Sequence, residues 1–280
     1  MKRDITLLDG AVGTSLWEKA DKYGVEKKAV WAYNLERPEL VTELARDYLE
    51  AGSQIILSNT FGANGPAVKR SSGYTAQDVV KAGVRLVREA VGNRAKVALA
   101  IGPLSTLLEP YGDTTEDECR EIYEEQIGSG MDEHPDCIMI QTFMDIEMMR
   151  IAASVAKGYG VPVFCTMTFE KAGRTMMGNS VQQVIDTLTP LGIDAIGMNC
   201  SLGPDLALPV IREFHERTDM PLVFKPNAGK PISSTTGDTV HAYDAETFAR
   251  ELAPALEFVS YVGGCCGSNA EYIRVLKTLL

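Results

Sequence analysis

Eight short apolar runs, each separated from the next by a longer amphipathic segment, constrain this chain more than any other feature of its sequence. The runs are ITLL from Ile5, QIILS from Gln54, KVALAI from Lys96, CIMIQT from Cys137, VPVFCTMTF from Val161, DAIGMN from Asp194, PLVFKP from Pro221 and EFVSYV from Glu257. Segments between them, such as PELVTELARDYLEAG and TEDECREIYEEQIGSG, carry acidic residues early and Gly52 or Gly130 at the end, which is helix punctuation. Strands alternating with helices build parallel βα units, and eight such units suggest closure. The expected fold is α/β, a single (β/α)8 TIM barrel, with one domain over residues 1–280 because no linker or low-complexity tract breaks the series. The competing architecture is an open doubly wound sheet. Gly10 and Gly13 in LLDGAVGTS lack the spacing of its phosphate-binding turn.

In a barrel, functional groups sit just past the C-terminal ends of the strands. Read at those positions, the sequence gives DGAVGT from Asp9, SNTFGAN, QTF, NCSLGP, PNAG and GGCCG, so nearly all the polar and glycine-rich punctuation falls on one face. A net charge of -11 argues against nucleic acid or an anionic membrane as partners, because both would be approached against repulsion, though it leaves room for a local basic patch. The opening MKRDITLLDG is too short in its apolar run for a secretory signal, and no segment approaches a membrane span. The expected location is the cytoplasm, where the six cysteines would be reduced.

Cys200 ends the sixth run, and Cys265 with Cys266 ends the eighth. Neighbouring strand residues point to opposite faces, so adjacent thiols do not ordinarily share a partner. The flanking Gly263, Gly264 and Gly267 lift that restriction by permitting a sharp turn. Closure of the barrel brings three thiols to one rim, the ligand number of a catalytic zinc site with an open fourth position. Cys119, Cys137 and Cys165 lie within a helix or strands and read as packing residues.

LLDGAVGTSL, AGSQIILSNTFGAN, GRTMMG, IGMNCSLGP, KPNAGKP and VGGCCGSN together resemble the homocysteine-binding, zinc-dependent S-methyltransferase family, nearly end to end. The resemblance implies a (β/α)8 barrel with Cys200, Cys265 and Cys266 as Zn2+ ligands and catalytic residues, and a small-molecule thiol, homocysteine, as substrate. It implies Asp9 facing the substrate ammonium, the backbone of Ala11, Val12 and Gly13 near its carboxylate, and Asn199 and Asn227 orienting the metal site. Gln141 stands where the family typically has Glu before TF. With no cobalamin or folate module recognised, the methyl donor is expected to be a corrinoid carried on a separate protein, or else a small methylated compound. Two other readings use the same residues: zinc and methyl chemistry on a different thiol, and a non-catalytic zinc- or thiol-binding partner of a corrinoid complex.

DEHPDC, from Asp132, begins like a cobalamin-binding motif but has Cys137 where glycine is required. His134, His215 and His241 are expected at the surface. No long insertion is expected over the barrel mouth, the longest connection in view being GPLSTLLEPYGDTT.

Overall fold

A computed structural model describes residues 4–71, 73–233 and 239–280. Eight parallel strands form the central sheet: β1 (Thr6–Leu7), β2 (Ile55–Leu57), β3 (Lys96–Ile101), β4 (Cys137–Phe143), β5 (Val163–Met167), β6 (Ala195–Asn199), β7 (Leu222–Lys225) and a last strand, Tyr261–Val262. The last strand pairs with both β7 and β1, with Tyr261 beside Val223 and Thr6. A bridge from Leu8 to Ile55 joins β1 to β2 and closes the ring. The fold is the expected (β/α)8 barrel.

Alternation along the strands sorts the core into two layers. Inside the barrel lie Leu8, Ile55, Leu57, Ala98, Ala100, Cys137, Met139, Phe164, Ala195 and Val223. Their strand neighbours, among them Ile56, Val97, Leu99, Ile138, Ile140, Cys165 and Ile196, face outward beneath the helices. Burial on both faces explains why the strands read as continuous apolar runs instead of alternating ones. Cys119, Cys137 and Cys165 are all buried in these layers, so they pack as small hydrophobes.

Helix ends follow their sequence signals. Thr115 and Glu118 form a reciprocal capping box at the start of Glu116–Met131. Pro38 opens Pro38–Ala51, and Gly52, at φ 109°, closes it. The connection after β7 departs from expectation. It spans residues 226–244, longer than GPLSTLLEPYGDTT, and contains a two-stranded antiparallel hairpin, β8 (Pro231–Ser233) with β9 (Thr239–His241). The last barrel strand is therefore β10. The hairpin escaped the sequence reading because its strands are three residues each, too short to show a period.

Candidate metal and thiol site

The Sγ atoms of Cys200, Cys265 and Cys266 lie within 4.8 Å of one another, and those of Cys200 and Cys266 are 3.7 Å apart. Backbone geometry produces the convergence. Past β10, Gly263 N and Cys265 N donate to Phe224 O and Pro226 O on the β7 side, while Gly264 N donates to Asp9 O on the β1 side. Gly264 has no room for a side chain, since a Cβ there would lie 2.1 Å from Ser268 Oγ. Gly267 then turns left-handed at φ 80°. Cys200 and Ser201 are also left-handed, at φ 63° and 59°, a conformation L-residues avoid unless the surroundings enforce it. Here Cys200 N donates to Lys225 O and Asn227 N donates to Leu202 O, pinning the turn.

Asn199 supports the thiols from below. Its Nδ2 lies 3.6 Å from Cys265 Sγ and 2.7 Å from Thr142 Oγ1, and its Oδ1 accepts from Thr142 N and Thr166 Oγ1, both at 2.8 Å. Thr142 reaches this position through a register shift in β4 between Ile140 and Phe143, with φ 67° at Thr142 itself. The bulge turns both Gln141 and Thr142 into the mouth of the barrel. Nothing in CIMIQTF signals a bulge, so the sequence alone gives no reason to place Thr142 in the site.

A cavity of about 290 Å³ opens beside the sulfurs. The backbone of Gly10–Thr14, the apolar faces of Trp17, Val30, Leu57 and Phe61, the bulge residues Gln141 and Thr142, and the three cysteines with Lys225 form its wall. Asp9 is not in the wall. It is fully buried, with Oδ1 2.5 Å from Lys225 Nζ and Oδ2 accepting from Leu57 N at 2.7 Å. Burial pushes its carboxyl up, and the Lys225 ammonium pulls against that. A larger groove of about 370 Å³ near Arg70, Glu118 and Glu121 has no cysteine among its described lining residues.

The donor set fits zinc. Tetrahedral ligation at a Zn–S distance of about 2.3 Å places sulfurs about 3.8 Å apart, close to the Cys200–Cys266 separation. Hydrogen bonds from the Cys200 and Cys266 thiols, together with the Lys225 charge and the Asn199 amide, hold the Cys265 thiol well below the usual thiol range. As a donor to Cys265 and Cys266, the Cys200 thiol is pushed well above it. Asn227 Oδ1 is buried with no hydrogen-bond partner among the described residues, so it has lone pairs to offer a group the protein does not supply.

The sequence-selected residues thus fall in four places. Ala11, Val12, Gly13, Gln141 and the cysteines line the cavity, Asn199 lies behind Cys265, Asp9 lies behind Lys225, and Asn227 is buried outside the wall with its N–H on Leu202 O. His134 and His215 are exposed, whereas His241 is half-buried with its ring against Gly267, placed there by the hairpin.

The model of homocysteine S-methyltransferases matches residues 6–280. This chain belongs to the homocysteine S-methyltransferase family. Methionine synthases of Mycobacterium tuberculosis and Mycobacterium leprae are 29% and 28% identical to this family member over 95% of its length. The chain spans about a quarter of those proteins, 24% and 23%. Among solved structures, the homocysteine methyltransferase MmuM from Escherichia coli shares the fold. Its oxidized form aligns with a TM-score of 0.80 at 20% identity and its metallated form with 0.78 at 21%, each covering 99% of this chain and 96% of that one. Among the described residues, no helix is long and apolar enough to cross a membrane.

Proposed function

We propose that this methyltransferase-family chain is an enzyme whose barrel binds Zn2+ through Cys200, Cys265 and Cys266 and methylates a small thiol, homocysteine, to give methionine. The methyl donor in this reading is a corrinoid on a separate protein. One observation carries the proposal: three sulfurs converge within 4.8 Å in the wall of an open cavity at the barrel mouth. Bound zinc supplies thiol activation, keeping the acceptor sulfur as thiolate at neutral pH. The protein's residues do the rest. Asn199 fixes Cys265, the left-handed turn fixes Cys200, and Trp17, Val30, Leu57 and Phe61 exclude water around the acceptor. The transfer forms one S–C bond and breaks the donor–methyl bond, whose electron pair leaves with the donor, and the thiol proton goes to solvent on binding.

A bulky donor suits the mouth. Trp17, Phe61, Met144 and Met176, on segments following β1, β2, β4 and β5, are exposed apolar residues around it. Three unpaired thiols suit a reducing compartment such as the cytoplasm. The test is methionine formation from homocysteine, followed by mass spectrometry, with a methylcorrinoid protein or with S-methylmethionine as donor. Faster turnover with the corrinoid is expected. Faster turnover with S-methylmethionine would reject the donor, and absence of turnover with every donor, despite bound zinc and thiol, would favour a binding protein over an enzyme.

A further inference from the structure

An α-amino thiol brings two charged handles besides its sulfur, an ammonium and a carboxylate, and each must be matched when it enters a cavity. Among the described residues, the cavity wall contains no Asp or Glu side chain, and its one Lys or Arg is Lys225. The carboxylate of Asp9 is sequestered behind Lys225, one oxygen held by Lys225 Nζ and the other by Leu57 N–H. Gln141, turned into the cavity by the β4 bulge, offers a neutral amide. An ammonium group has three donors, and Lys225 uses one on Asp9, so it retains donors for an anion.

We infer that the pocket recognises its acceptor through a carboxylate held by Lys225 and makes no use of an α-ammonium. The inference deepens the thiol-acceptor reading above and rests on it. Homocysteine then binds through its sulfur and carboxylate, and a thiol acid without the amino group serves equally well. Asp9 aims Lys225, a positioning role and not a substrate contact.

The test uses thiol binding to the full chain loaded with Co2+ in place of zinc, read from the cobalt absorption spectrum with no methyl donor present. The three probes are homocysteine, 4-mercaptobutanoate, which lacks the amino group, and 3-aminopropane-1-thiol, which lacks the carboxylate. The expected dissociation constants agree within about threefold for the first two and are about tenfold or more weaker for the third. A pocket that binds the aminothiol more tightly than the thiol acid overturns the inference while leaving the acceptor reading intact. No thiol-dependent change with cobalt bound overturns both. The double variant Asp9→Asn, Lys225→Met removes the charge without orphaning its partner. It should weaken 4-mercaptobutanoate about tenfold and leave 3-aminopropane-1-thiol unchanged. Equal effects on both, or none on either, contradict the role of Lys225.

Discussion

Asn199 donates to Cys265 across 3.6 Å from the end of β6, and its carbonyl is held in turn by Thr142 and Thr166. Partners that fix a ligand's orientation typically matter about ten- to hundredfold in metal affinity. Asn199→Ala is therefore expected to weaken zinc binding by about that factor while the three cysteines remain. Competition with a chromophoric chelator measures it, and wild-type affinity in the variant would refute the supporting role.

Gly264 leaves no space for a methyl group beside Ser268, whose Oγ donates to Cys265 O at 2.7 Å. Gly264→Ala must displace Ser268 or the Cys265 backbone. The expected cost is about 1–3 kcal/mol of stability, from overpacking a closed turn, together with reduced zinc occupancy. Urea denaturation and metal content on the same preparation check both.

The Lys225–Asp9 pair is 2% and 0% exposed. Removing one partner of such a pair leaves an uncompensated buried charge, at a cost of about 3–5 kcal/mol. Lys225→Met alone and Asp9→Asn alone are each expected to be strongly destabilising, and the double variant less so than their sum. Additive losses in a denaturation cycle would show that the two residues do not act as a pair.

The fold and the convergence of three thiols were legible in sequence for one reason: both depend on residue type at strand ends. Eight apolar runs fixed the strands, and Cys200, Cys265 and Cys266 followed from counting which runs they terminate. The supporting geometry was not legible. The β4 bulge that brings Thr142 onto Asn199 depends on cross-strand register, and CIMIQTF carries no glycine or other mark of it. The Asp9–Lys225 pair spans 216 residues of chain, so its existence turns on barrel closure, and Asp9 alone looked like a group facing substrate. The hairpin that lays His241 against Gly267 was hidden by its brevity.

Gln141 tests the charge pattern of the cavity from the other side. Gln141→Glu adds a carboxylate to a wall that has none among the described residues. Affinity for homocysteine should rise several-fold relative to 4-mercaptobutanoate, a gain of about 1 kcal/mol from a charge-assisted contact. The ratio of the two affinities, measured on both proteins, isolates this effect from any general damage to the site.

Zinc content per chain, measured by mass spectrometry of metals on wild type and on Cys200→Ala, Cys265→Ala and Cys266→Ala, tests the central claim most directly. The account predicts about one zinc in the wild type and strongly reduced zinc in each variant, with circular dichroism unchanged because a barrel core of this size does not rest on a rim site. Full zinc occupancy in any one of the three variants would contradict it.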